Sequence, residues 1–362
     1  MKIGVLGAGQ LGRMLALSAY PLGHQMRFLA LSEEDPSSLL GKTFIHNNNN
    51  TDMVSNFADS SDIVTYESEN TDVTIVNEIS KNTKVFPSDK SLYISQHRGR
   101  EKALLDALKI PCAPYQMVNS LDDLKSAIKN IGIPSILKIA TDGYDGKGQF
   151  LIKSETQIHE AWEKMAGAES ILEGFVNFKR ELSLIAVRGI DGSLEYYPLV
   201  ENSHHEGILR LTIAPAQNVS ASLQKKAEEY MSSILKEIKH VGVLTIELFE
   251  SDDLLVNEIA PRVHNSGHWT IEGTQTSQFE NHIRAITESP LGQTTITSKF
   301  SAMINIIGVH GPIQKVLKTK NAHLHLYNKE ERTGRKLGHI TLTSNSTDEL
   351  NKTIGSLKEY LP

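Results

Sequence analysis

Val243-Leu244-Thr245-Ile246-Glu247-Leu248-Phe249 and, beyond a polar turn around Asp252-Asp253, Leu254-Leu255-Val256-Asn257-Glu258-Ile259 are two apolar runs, each carrying one glutamate. Their composition and the acidic break between them predict a β-hairpin. Side chains alternate with period two along a strand. Val243, Thr245, Glu247 and Phe249 therefore share one face, and Leu254, Val256 and Glu258 share one face of the next strand. Because 247 and 258 add to an odd number, a turn of even length puts both carboxylates on the same side, as direct or diagonal neighbours roughly 4.5–8 Å apart. Two carboxylates that close repel unless one is protonated or a cation lies between them. Magnesium takes one or two carboxylates and completes its shell with phosphates and water, so it suits such a pair, with two solvated strand residues as the alternative.

Downstream, Asn257-Glu258-Ile259-Ala260-Pro261-Arg262-Val263-His264-Asn265-Ser266-Gly267-His268-Trp269 sets Arg262, His264 and Asn265 just beyond the metal strand. Together they offer a guanidinium fork and neutral donors to a small oxyanion. His264 and His268 are four apart, a zinc spacing on a helix, but Asn265-Ser266-Gly267 is poor helix and no third ligand is evident, so His268 reads as a hydrogen-bonded structural histidine. Upstream, Lys138 on the strand expected at Ser135–Ala140 precedes Asp142-Gly143-Tyr144-Asp145-Gly146-Lys147-Gly148-Gln149. Three glycines in six residues make either a loop that closes over a triphosphate or a glycine-rich turn with a solvated lysine, and the G-K-[ST] ending of a Walker motif is absent. Near the start, Gly7-Ala8-Gly9-Gln10-Leu11-Gly12 follows the strand run Lys2–Leu6 and opens a helix over Gln10–Tyr20, as in a phosphate-binding turn. Glu33 or Glu34 stands where a ribose-binding acid belongs; a tight turn that only packs helix on strand is the other reading. Lys329, Arg332, Arg335 and Lys336 crowd the tip between the strand runs His323–Leu326 and His339–Thr343, diluted by Glu330 and Glu331, and read equally as a ligand patch or a solvated hairpin tip.

Further strand runs at 26–31, 43–46, 62–66 and 84–86 alternate with helical or loop segments and predict a parallel α/β domain over the first 95 or so residues. Asn47–Asn50 predicts a surface loop. A periodic helix is expected from Ser95 to Ile110, then a linker at Pro111–Pro114 and a mixed region without internal repeats. The 362 residues are 39% hydrophobic and 22% charged with net charge −6, a folded composition whose mild acidity argues against a sequence-independent grip on nucleic acid. With Cys112 alone there is no internal disulfide. No apolar run nears the 18 or so residues of a membrane span, and no secretory core follows Met1, so a cytoplasmic protein is expected.

In combination, GAGQLGRM, DGYDGKGQ, NEIAPRVHNSGHWT and KEERTGRKLGH resemble the 5-(carboxyamino)imidazole ribonucleotide synthase family, ATP-grasp enzymes of purine biosynthesis, over nearly the whole chain. The resemblance implies mixed α/β and α+β architecture: a Rossmann-like N-terminal domain (1–95), an ATP-grasp domain (96–292, with a lid at about 113–170) and a small C-terminal β-rich domain (293–362). It implies ATP bound by Arg98, Lys138, the Gly143–Gln149 loop, the strand end Glu173-Gly174-Phe175-Val176, Glu181, His204, Asn257 and Glu258. Magnesium falls to Glu247 and Glu258, and the catalytic group comprises Asp145, Lys147, Arg262, His264 and Asn265, the last three around bicarbonate. Ribonucleotide binding falls to Gly9, Gln10, Leu11, Tyr144, Lys329, Arg332, Arg335 and Lys336. Lys147 stands where the family commonly has arginine, keeping the charge but not the bidentate fork. Ala260 stands where many ATP-grasp enzymes place a third ligand, asparagine, leaving that coordination to water or substrate. The implied reaction is carboxylation of the amine of 5-aminoimidazole ribonucleotide by bicarbonate and ATP through carboxyphosphate, in a homodimer with small-molecule substrates only. A nicotinamide-dependent oxidoreductase built on GAGQLG, and a related ligase using formate or an amino acid, are the alternatives.

Overall fold

The computed structural model describes residues 1–46, 52–141, 143 and 148–362; the asparagine loop at 47–50 and the loop residues Asp142, Tyr144, Asp145, Gly146 and Lys147 lie outside the described residues. The first five apolar runs form strands β1 (Lys2–Leu6), β2 (Gln25–Ala30), β3 (Lys42–Ile45), β4 (Ile63–Tyr66) and β5 (Lys84–Val85). They pair in parallel in the order β3-β2-β1-β4-β5. The strand order reverses between β1 and β4, so the loops that follow these neighbours diverge and open a crevice beyond their carboxyl ends. Gly7–Gly12 leaves β1 there, and Glu67–Asn70 leaves β4.

A second sheet, β6 (Tyr115–Val118), β7 (Ser135–Ile139), β8 (Gln149–Ile152) and β9 (Ser170–Gly174), runs in the order β6-β9-β7-β8. Helices Leu121–Ile131 and Ile158–Lys164 cover it, and Val118, Leu124, Leu137, Ile152 and Leu172 fill its core. The third sheet comprises β10 (Arg180–Arg188), β11 (Leu194–Tyr196), β12 (Val200–His205), β13 (Ile208–Ala214), β14 (Gly242–Glu250), β15 (Leu254–Ala260), β16 (Phe300–Ile307), β17 (Ala322–Leu326) and β18 (Lys336–Ser344). It is antiparallel in the order β15-β14-β10-β12-β13-β16-β18-β17, with β11 beside β10. Because β13 pairs with β16, the C-terminal strands continue the central sheet. One apolar core also joins the parallel sheet to the central one: Ile3, Val5, Leu15 and Phe28 cluster with Val243, Phe279, Ile283 and Ile286. The elements that meet at the crevice are therefore held rigidly together.

The helix expected from Ser95 to Ile110 spans Arg98–Ala107, and a separate helix, Asp89–Ser95, ends where it was expected to begin. His97 separates them by adopting extended backbone and accepting the N–H groups of Gly99 and Arg100 through its ring, an N-cap that outweighs the continuous periodicity. The cap puts Arg98 at the first helical position. Among the described residues no helix is long and apolar enough to cross a membrane.

Candidate active site

The crevice beyond β1 and β4, the face of β7 and β8, and the central hairpin enclose a cavity of about 680 Å³. Glu247 and Glu258 both line it and are direct partners across β14 and β15. The expected face is right; the expected even turn is not. Glu250 pairs with Leu254, so the turn has three residues, and that register alone would put the two glutamates on opposite faces. A β-bulge at Asn257 adds one residue to β15 and restores the alignment. It also lets consecutive residues Asn257 and Glu258 both reach the cavity, where Asn257 Oδ1 is buried without a protein partner. Burial, and next the charge of Glu258, push the Glu247 carboxyl well above the usual carboxylate range. A divalent cation relieves that repulsion. No group of three or more His, Cys, Asp or Glu side chains suited to a metal exists among the described residues, so the pair fits magnesium, whose remaining ligands come from phosphate and water, better than an all-protein metal cage.

Beside the hairpin, Arg98 Nη1 lies 3.3 Å from Glu258 Oε2. Lys138 on β7 bonds Glu173 Oε2 at 2.6 Å, and Lys102 lies 3.7 Å from the other oxygen. Burial alone would raise the Glu173 carboxyl, but Lys138 and then Lys102 hold it down to about 2. Lys138 and Gln149 face the cavity. Glu173, Gly174, Phe175 and Val176 do not line it, and the N–H groups of Gly174 and Phe175 bond the carbonyls of Pro114 and Pro134. Phe178 and Phe249, absent from the sequence expectations as ligand contacts, stack at 4.6 Å on the cavity wall. Glu181 bonds His204 Nδ1 there.

Arg262, His264 and Asn265 line the same cavity. The Nε and Nη2 edge of Arg262 is held by both oxygens of Glu69, and Nη1 donates to Val263 O at 3.1 Å. The expected open fork is thus half engaged, with the Nη1–Nη2 edge remaining for an anion. Against burial, Arg262 holds the Glu69 carboxyl down to about 2. His264 Nε2 stands 3.5 Å from Glu247 Oε1, and burial, then Arg262, keep its ring neutral with a pKa of about 3. Both side-chain polar atoms of Asn265 are buried without partners, as a site awaiting a small polar ligand requires. The zinc spacing fails, because the His268 ring packs against Phe279 and His339 instead of joining His264; His268 does also reach the cavity wall.

The first glycine turn is occupied from within. Its anion is the protein's own: the Glu67 carboxylate accepts the N–H of Gly9 and, at 2.6 Å, that of Gly12. A Cβ on Gly7 or Gly9 would sit 2.6 or 2.8 Å from that side chain, and Gly7 has φ +103°, so the spacing admits the Glu67 side chain, whereas the motif alone had left open a ligand phosphate or a packing turn. Gly9 N–H is therefore already engaged, and Glu33 and Glu34 lie exposed outside the cavity. Gly7→Ala is expected to destabilise the chain by about 2 kcal/mol, read as a lower thermal midpoint, because both the backbone and Glu67 must move. Gln10, Leu11 and Glu67–Asn70 line the cavity. Lys329 bonds Gln10 Oε1, and burial, then Arg335, bring its pKa down to about 8. Lys336 lines the cavity, whereas Arg332 is exposed and Arg335 lies outside it, so the basic tip divides between the two readings.

Residues 1–96 match the ribonucleotide synthetase preATP-grasp domain, 103–279 the ATP-grasp domain and 301–353 the phosphoribosylaminoimidazole carboxylase C-terminal domain. The N5-carboxyaminoimidazole ribonucleotide synthase of Pseudomonas aeruginosa is 44% identical over 94% of each chain. The crystal structure of N5-carboxyaminoimidazole ribonucleotide synthetase from Thermus thermophilus is similar at TM-score 0.94, with 45% identity over 99% of this chain and 98% of that one. The Aspergillus clavatus synthase in complex with ADP and 5-aminoimidazole ribonucleotide is similar at TM-score 0.91, with 34% identity over 99% and 98%. The chain belongs to the N5-carboxyaminoimidazole ribonucleotide synthase family of ATP-grasp ligases.

Proposed function

We propose that the chain uses ATP and bicarbonate to carboxylate the exocyclic amine of 5-aminoimidazole ribonucleotide, a step of purine biosynthesis. The observation that carries this is one cavity lined by a directly opposed glutamate pair and by Arg262, His264 and the unpartnered Asn265, with His264 3.5 Å from Glu247. Arg98, Lys138 and the Gly143–Gln149 loop hold the phosphates, Glu181 and His204 the ribose, Asn257 lines the same nucleotide cleft, and the strand end at Glu173–Val176 meets adenine once the lid at about 113–170 closes. Glu247 and Glu258 hold magnesium, which when bound offsets charge on the terminal phosphates. Arg262 and Asn265 hold bicarbonate in line; its oxygen attacks the γ-phosphorus, ADP leaves, and carboxyphosphate remains. The amine nitrogen then attacks the carboxyl carbon of carboxyphosphate and phosphate leaves, or attacks the carbon dioxide that carboxyphosphate has released together with phosphate; in both routes the phosphate takes the amine proton. Gln10, Leu11, Tyr144, Asp145, Lys147, Lys329 and Lys336 position the ribonucleotide, with Arg332 and Arg335 at the rim. Water exclusion protects the intermediate, which is the task of the glycine loop. We place the enzyme in the cytoplasm as a homodimer of the three-domain chain.

The test is ADP release with both co-substrates and with each omitted. Turnover is expected to need bicarbonate and to rise with the ribonucleotide; a ribonucleotide that neither stimulates turnover nor becomes carboxylated contradicts the assignment. Activity with formate or an amino acid in place of bicarbonate would move the chain to a related ligase.

A further inference from the structure

Four buried side chains form one line of hydrogen bonds that ends on His264. Thr212 Oγ1 bonds Asn202 Oδ1 at 2.9 Å, Asn202 Nδ2 bonds Ser183 Oγ at 2.9 Å, Ser183 Oγ bonds Ser266 Oγ at 2.7 Å, and Ser266 Oγ bonds His264 Nδ1 at 2.9 Å. Hydroxyls and amides can each be turned around, so the line alone has no direction. One donor settles it. The backbone N–H of Ser266 also points at His264 Nδ1, at 3.3 Å, and a backbone N–H only donates. Gln278 brackets the main chain of His264, accepting its N–H at 2.9 Å and donating to its carbonyl at 2.6 Å, which holds the residue beside the Ser266 N–H. With Nδ1 as acceptor, the Ser266 hydroxyl must donate to it, the Ser183 hydroxyl to Ser266, the Asn202 amide to Ser183, and Thr212 to the Asn202 oxygen. The imidazole proton is left on Nε2, the nitrogen that faces Glu247 Oε1 at 3.5 Å across the cavity.

We propose that Ser266, Ser183, Asn202 and Thr212 are positioning residues that lock His264 in its Nε2–H tautomer, making it a hydrogen-bond donor to the oxyanion and not the acceptor of the amine proton. The role of the donor rests on the placement of bicarbonate beside His264; the lock itself does not. Ser183, Ser266 and Thr212 are fully buried and Asn202 nearly so, which keeps these bonds in a low-dielectric setting where each link counts. Ser183 also sits directly opposite Glu247 in the β10–β14 register, which ties the lock to the metal hairpin.

The experiment is a long-range proton–nitrogen NMR spectrum of the full-length enzyme labelled with nitrogen-15 histidine, with His264 assigned by the signals lost in His264→Asn. Wild type is expected to show a protonated Nε2 and a bare Nδ1 at neutral pH. In Ser266→Ala the backbone N–H still faces Nδ1 at 3.3 Å but the shorter hydroxyl bond at 2.9 Å is gone, so the two nitrogen signals are expected to move part of the way toward each other, with kcat lower by about tenfold and the KM for ATP unchanged. A proton on Nδ1 in wild type overturns the proposal, as do unchanged nitrogen signals in a folded Ser266→Ala. If that variant does not fold, the wild-type spectrum decides. If the lock is found and released by Ser266→Ala while bicarbonate saturation stays as in wild type, the lock stands and the bicarbonate placement falls.

Discussion

Glu247→Gln is expected to lower kcat by about a thousandfold while raising the thermal midpoint of the ligand-free chain, an opposite movement of activity and stability. The activity loss follows from the proposed mechanism, in which the variant would lack one of the two carboxylates that would hold the cation near the terminal phosphates. The stability gain follows from the sign of the Glu247 shift. Its carboxyl is pushed up in the folded chain by burial and then by Glu258, so ionising it costs folding energy once the pH exceeds the unfolded value of about 4.3. Glutamine removes that cost, and the gain is expected to be larger at pH 8 than at pH 5. Magnesium with ATP should stabilise wild type far more than the variant, because binding to the folded state alone adds stability. Differential scanning fluorimetry at the two pH values, with and without magnesium and ATP, measures all of this.

Glu69→Gln has the opposite stability effect. The bidentate pair with Arg262 compensates a charge that is otherwise buried, and breaking such a pair from one side costs about 3 kcal/mol. Linkage gives a similar size, since a carboxyl held at about 2 instead of roughly 4.3 contributes about 3 kcal/mol. The folded value is depressed, so this stability is fully present above about pH 5 and drains as the pH falls toward 2. The gap between wild type and Glu69→Gln in denaturant unfolding is therefore expected to be widest near pH 7 and to narrow below pH 4. Activity should fall more than stability alone explains, with a higher KM for bicarbonate, because a released guanidinium no longer keeps its second edge on the anion.

The hairpin shows how far local reasoning reaches. Period-two alternation placed Glu247 and Glu258 on a common face, but a three-residue turn and a bulge at Asn257 achieved it, and bulges leave little mark in composition. The first glycine turn was legible as an anion cradle, yet spacing cannot say which anion fills it, and Glu67 arrives from the end of another strand. Glu69 and Arg262 are 193 positions apart, a partnership that only the tertiary fold creates. Strand β12, with Asn202 and His204 turned into the site, lacks the apolar alternation that marks a strand, because its residues serve the cavity and not the core. Rigid, locally encoded elements were readable, and the long-range polar contacts that tune the site were not.

In the proposed reaction bicarbonate attacks the γ-phosphate of ATP beside the glutamate pair. Single-turnover reaction with bicarbonate carrying oxygen-18, in the presence of magnesium, ATP and 5-aminoimidazole ribonucleotide, tests it directly. One labelled oxygen is expected in the inorganic phosphate for each ribonucleotide carboxylated. Phosphate that takes its new oxygen from water, with product still formed, would contradict the account.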